Sequence, residues 1–142
     1  MKIAVDFDGT IVEHEYPTIG REKLFAFETL KALQDRGDQL ILWTYRCGKE
    51  LDEAVEYCRK NGIEFYAVNK NYPEEEFDGT ISRKIIADVY IDDRNIGGFI
   101  NWSEMWQMLN PELFSDDIKK QMKNIPTAKR TFWQKLTRNF RS

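Results

Sequence analysis

The chain has 142 residues, 42% of them hydrophobic, and its 21 Lys or Arg against 24 Asp or Glu leave a formal charge of −3. That length carries one domain with a real core, and neither a membrane span nor a cleavable leader is visible, so a soluble cytoplasmic protein is expected. Two cysteines, Cys47 and Cys58, make no disulfide framework, and the lone His14 rules out a histidine-rich metal site, which leaves carboxylate or hard-metal chemistry.

The first element is Lys2-Ile3-Ala4-Val5, a short apolar run that reads as a buried strand and delivers Asp6 and Asp8 into Gly9-Thr10. Both carboxylates therefore stand at the carboxyl edge of a strand, where open α/β sheets bind ligands. Two anionic groups this close repel each other unless a cation lies between them. In a soluble protein that points to a hard, oxygen-preferring ion such as magnesium. The bland alternative is an Asx turn that only caps the next element. A second copy, Phe77-Asp78-Gly79-Thr80, follows Pro73-Glu74-Glu75 instead of an apolar strand, and reads as a turn without chemistry.

Ile11 to Arg21, with Pro17 and Gly20, is expected as a loop, after which Leu24, Phe27, Leu30 and Leu33 recur at helical spacing up to Gly37. Gln39 to Trp43 reads as a second buried strand ending at Thr44. Leu51, Ala54, Val55 and Cys58 mark a helix closed by Asn61-Gly62. Glu64 to Val68 reads as a third strand, residues 69 to 83 as a polar connection, and Ile85 to Ile91 as a further strand with Asp92-Asp93 at its end. Helical pieces are expected over residues 101 to 140, where Trp102, Met105, Trp106 and Leu109 form a core stripe.

Strands alternating with helices imply an α/β fold: a mostly parallel sheet with right-handed crossovers, helices on both faces, and carboxyl edges gathered on one rim. Asp6/Asp8, Thr44 and Asp92/Asp93 then converge although they lie far apart in sequence.

Asp6-Phe7-Asp8-Gly9-Thr10 resembles the first motif of the haloacid dehalogenase superfamily, most of whose members are phosphatases. The resemblance extends over roughly the first hundred residues and implies a three-layer Rossmann-like core, with Asp6 as nucleophile and Asp8 as general acid/base. Thr44 is placed like the second-motif hydroxyl that hydrogen-bonds the phosphoryl group. The strand ending in Asp92 and Asp93 resembles the fourth motif, which completes a Mg2+ site with Asp6 and the backbone carbonyl of Asp8. Asp93 is the expected direct ligand and Asp92 an outer one. Lys84, eight residues before Asp92, matches the third-motif lysine that neutralises phosphoryl oxygens, with Lys70 as its rival. Arg46 and Arg94 follow their motifs by one or two residues, and their guanidinium forks suit a substrate phosphate or sugar. His14 and Cys47 sit near the rim, but the implied chemistry needs neither imidazole nor thiolate. The acid at position 8 argues for phosphomonoester hydrolysis, since family ATPases usually carry threonine there and dehalogenases lack the acid; phosphomutases share the motifs.

Neither gap between motifs has room for a cap domain, so the resemblance implies a capless member whose site is open or covered by Ile11 to Arg21 or another subunit. The expected organisation is a catalytic core over residues 1–110 and a helical basic extension over 111–142. Residues 118–142 hold eight Lys or Arg and no acid, leaving 13 basic against 24 acidic residues elsewhere. Such a tail suits nucleic acid, an anionic membrane surface, a second copy of the chain, or docking on its own body. The expected function is a magnesium-dependent phosphomonoester hydrolase working through an aspartyl-phosphate on a phosphorylated substrate of unspecified size. Two alternatives stand beside it: a non-catalytic phosphate-binding or scaffold protein, and a nucleic-acid end phosphatase using the tail.

Overall fold

A computed structural model describes residues 1–113; the basic tail lies outside the described residues. Four short strands form one all-parallel sheet: β1 (Lys2–Val5), β2 (Gln39–Leu42), β3 (Ala67–Val68) and β4 (Val89–Ile91), in the order β3-β2-β1-β4. The connections contain α1 (Ala26–Asp35) and α2 (Gly48–Lys60), and α3 (Trp102–Leu109) follows β4. This is an α/β fold consistent with a Rossmann-like sheet, in which strand order reverses beside β1. Among the described residues no helix is long and apolar enough to cross a membrane.

β1 and β2 are apolar because both of their faces are covered. Ala4 and Ile41 join Ala67 and Ile85 in one buried cluster, flanked by Trp43, Tyr66 and Ala87, while Ile3, Val5, Leu40 and Leu42 are also buried. Helix α1 buries Ala26, Phe27, Leu30 and Leu33, the stripe that its periodicity demands. Helix α2 buries Ala54 and Cys58, and its Tyr57 ring meets Phe7 edge-on at 6.3 Å and Phe27 at 5.8 Å.

The elements are shorter than the sequence pattern suggests, for local reasons. The helix expected from Leu24 begins at Ala26, because Phe25 takes φ +64 at the N-cap and leaves Leu24 exposed. The third strand shrinks from Glu64–Val68 to two residues at the sheet edge, where short strands are favoured. The run from Ile85 joins the ladder late, since the Ile86 amide donates to Asn71 Oδ1 instead. Two compact units divide between Ser103 and Glu104, inside α3.

Burial pushes the Cys58 thiol up to about 12, whereas Cys47 is exposed. A chromogenic disulfide reagent at pH 8 should therefore titrate one thiol per native chain and two after denaturation. Raising the pH to 9 should leave native Cys58 silent.

Candidate functional site

Every strand contributes a polar residue just past its carboxyl end: Asp6 after β1, Thr44 after β2, Asn69 after β3 and Asp92 after β4. The ladder carries on one step beyond the strands, with the Asp6 amide donating to Ile91 O at 2.9 Å and the Trp43 amide to Val5 O at 2.8 Å. The rim residues are thus fixed by the sheet itself. They line one cleft of about 1120 Å³.

The Asp-x-Asp turn closes on the Phe7 carbonyl, which accepts from the amides of Thr10, Ile11 and Val12. Gly9 sits at φ +85, and a Cβ there would lie 2.2 Å from Asp93 Oδ2. The glycine is required because the β4-end carboxylate lies directly against the turn's backbone. Thr10 is fully buried; its hydroxyl donates to Asp6 Oδ2 at 3.1 Å and its carbonyl accepts from Trp102 Nε1 at 2.9 Å. The copy at residues 77–80 does nothing comparable. There Asp78 Oδ1 accepts from the amide and hydroxyl of Thr80 in an exposed Asx turn, as its context implied.

Asp6, Asp92 and Asp93 each offer a carboxylate oxygen, all within 4.8 Å of one another. Asp93 Oδ1 is buried with no hydrogen-bond partner among the described residues, a costly state for an acceptor. Burial pushes the Asp6 carboxyl up to about 7, helped by Asp92 and Asp93 and opposed by hydrogen bonds from the Phe7 amide and Thr10. Among the described residues the cation paired with this cluster is the largely exposed Arg94, whose Nε lies 3.8 Å from Asp93 Oδ2.

Asp8 has the opposite surroundings. Arg46 Nε donates to Asp8 Oδ2 and Nη2 to Asp8 Oδ1, both at 2.7 Å. The remaining Arg46 donors reach the carbonyls of Thr18 at 2.8 Å, Pro17 at 3.0 Å and Glu50 at 3.4 Å. All five guanidinium N–H groups are used, and the group lies over the Phe7 and Tyr16 rings at 5.0 and 5.2 Å. Arg46 is 1% exposed, so it orients Asp8 and the loop and has no donor left for a substrate phosphate. Its expected role as a substrate-reading fork is replaced by a structural one.

The loop expected over Ile11–Arg21 is a closed flap. The Glu13 amide bonds Arg21 O at 2.7 Å, the Lys23 amide bonds Ile11 O at 2.9 Å, and Val12 and Glu22 pair antiparallel. Gly20 allows the two arms to touch, since a Cβ there would lie 2.0 Å from Glu13 O. His14 and Tyr16 from this flap line the cleft, as does Cys47.

Thr44 accepts at Oγ1 from the Arg46 amide at 3.2 Å, which leaves its own proton to donate to a ligand. Asn69, at φ +53, holds this segment from below: Oδ1 accepts from the Thr44 amide at 2.8 Å and Nδ2 donates to Arg46 O at 3.4 Å. Lys70, which bonds Pro73 O, Arg83 and the largely exposed Arg94 line the cleft. Lys84 does not line it; its ammonium lies over the Tyr90 ring at 5.5 Å. The sequence reading thus selected Asp6, Asp8, Thr44, Arg46, Asp92, Asp93, Arg94 and Lys70 within one cleft, and missed Asn69 in it and Thr10 behind Asp6. An asparagine at a strand end is the one signal for Asn69, because Asn tolerates a left-handed backbone.

A solved structure titled as a conserved protein from Bacteroides thetaiotaomicron is 57% identical to this chain, covers 79% of it and 91% of its own length, and superposes with a TM-score of 0.74. The chain belongs to the same family as that protein. No family model and no curated protein matches the chain.

Two measurements test the site's electrostatics. Native Asp6 keeps a proton that the unfolded chain has lost above the ordinary value of 3.8, so this group's contribution to metal-free stability falls as pH climbs from there to about 7. Thermal unfolding in chelator between pH 5 and 8 should show that decline, and Asp6→Asn should flatten it. Arg46→Ala leaves Asp8 and three carbonyls without donors and should cost about 3–5 kcal/mol in denaturant unfolding. Arg46→Lys, which cannot span both carboxylate oxygens and the flap, should recover only part of it.

Proposed function

We propose that this protein is a magnesium-dependent phosphomonoester hydrolase of the haloacid dehalogenase type, with a three-layer core and no cap domain. The observation that carries the reading is the meeting of Asp6, Asp92 and Asp93 beside Asp8 and Thr44 at the strand ends, with Asp93 Oδ1 buried and unpartnered. An all-oxygen donor set of this kind fits a hard divalent cation, and these three carboxylates would hold it. The ion, when bound, would neutralise charge on the cluster and on the phosphoryl oxygens.

The remaining chemistry belongs to the chain. Asp6 attacks phosphorus, the bond to the ester oxygen breaks, and an aspartyl-phosphate forms on Asp6. Thr44 donates its hydroxyl proton in a hydrogen bond to a phosphoryl oxygen, and Lys70 adds positive charge at the wall in the role that the sequence pattern offered first to Lys84. Asp8 enters as a carboxylate bound through both oxygens to Arg46. It is therefore set to accept a proton from the water that cleaves the aspartyl-phosphate. Protonating an ester oxygen earlier requires one Arg46 bond to loosen and Asp8 to take up a proton from water, so aryl leaving groups, which can depart as the anion and take their proton from water, should react first.

An aryl phosphate incubated with Mg2+ should release inorganic phosphate, stop on addition of chelator, and resume when Mg2+ is restored. Asp6→Asn should lower kcat by roughly a thousandfold or more with the fold intact by circular dichroism. Asp8→Asn should lower it by about 10²–10⁴-fold. Full activity in Asp6→Asn would remove the nucleophile assignment.

A further inference from the structure

The cleft holds more than a phosphate site requires. Eleven large hydrophobic side chains are exposed among the described residues, and four of them, Tyr16, Tyr45, Phe77 and Ile81, line this one cleft. Isolated exposed apolar residues are ordinary, but their concentration around one opening marks a binding surface.

Tyr45 is the most telling. Its side chain is 93% exposed and makes no hydrogen bond or ring contact among the described residues, yet its backbone is held on both sides. Thr44 before it and Arg46 after it are both tied to Asn69. A free aromatic face thus stands on a fixed base one residue from the hydroxyl that would bind the phosphoryl group. Phe77 faces the same cleft, with the Arg83 guanidinium 4.7 Å over its ring. Trp43 forms a third wall, packed from behind on the cluster of Ala4, Ile41, Ala67 and Ile85. Aromatic faces around an anion site match a ligand that joins an anion to a flat ring, since stacking is tolerant of the ring's identity and guanidinium planes add to it.

We propose that the substrate is a small phosphomonoester carrying an aromatic ring system, of the nucleoside monophosphate or aryl phosphate class, with the ring received by Tyr45 and Phe77. The proposal rests on the phosphatase reading for the phosphate end of the ligand. It excludes ringless sugar and polyol phosphates as preferred substrates.

A nucleoside 5′-monophosphate and ribose 5-phosphate share the same primary-alcohol leaving group and differ only in the base, so their kcat/KM ratio isolates the ring. The ratio should be roughly tenfold or more. Tyr45→Ala and Phe77→Ala, both at exposed side chains, should shrink it toward one, while Leu24→Ala, an exposed apolar control outside the cleft, should not change it. Comparing phenyl phosphate across the same variants separates the two ring sources: loss of its kcat/KM as well assigns a general ring site, and loss for the nucleotide alone assigns a nucleobase site. A ratio near one in the parent protein, or one that neither Tyr45→Ala nor Phe77→Ala alters, overturns the proposal and leaves the phosphatase reading standing. If no ester is hydrolysed, that reading fails instead, and calorimetry with phenylphosphonate against methylphosphonate decides the ring site. Tighter binding of the phenyl compound, lost in the two variants, supports it; equal binding removes it.

Discussion

One buried guanidinium organises the rim of this protein. Arg46 uses every N–H it has, two on Asp8 and three on backbone carbonyls of the flap and α2, and it lies between two aromatic rings. Burying a charge is costly unless geometry and hydrogen bonding are nearly complete, and here they are. The result is that the end of β1, the end of β2 and the flap form one rigid body around a single ion pair. A lysine's point charge could not bridge these groups, because the bond directions are those of a planar fork.

The two acids of the first motif differ because of this pair. Asp8 has its cation within the protein, whereas Asp6, two residues away, faces Asp92, Asp93 and a desolvated floor that pushes it up to about 7. Only the second group is left unsatisfied. Perturbed carboxylates in a cleft are candidates for the place where a ligand completes the charge balance, whereas Asp8 has its charge balanced by Arg46 and enters the cleft already oriented. The contrast separates, within a stretch of five residues, a carboxylate paired by the protein from one crowded by other carboxylates. It also explains why Gly9 and Thr10 accompany the acids: one lets Asp93 approach, and the other holds Asp6 from below while Trp102 anchors its carbonyl.

Much of this was legible in the sequence because its signals are local. Two apolar runs ending in Asp and Thr gave buried parallel strands and a polar rim, and the differing context of the two Phe-Asp-Gly-Thr copies separated a site from an Asx turn. What escaped depends on contacts made across long sequence separations. Arg46 read as a substrate fork because it stands beside Thr44, while its partners lie 28 to 38 residues earlier and in the first turn of α2. Lys84 matched by spacing, yet Arg83 rather than Lys84 lines the cleft, and the Lys84 ammonium lies over the Tyr90 ring instead. The helix start failed at Phe25, whose left-handed backbone no hydrophobic period encodes.

The site therefore has two parts that obey different constraints. The floor residues follow the strands by one or two positions and are fixed by ladder hydrogen bonds, Asn69 and Arg46. Changing any of them disturbs the sheet ends as well as the chemistry. The lip residues Tyr16, Tyr45, Phe77 and Arg83 project from connections whose side chains are largely free of the core. On the proposed reading, substituting the lip would alter which molecule is held and leave the floor in place, the usual division between a scaffold and the loops that carry specificity. On the proposed reading, the acids at the strand ends decide which bond is broken, and the aromatic side chains above them decide which molecule carries it.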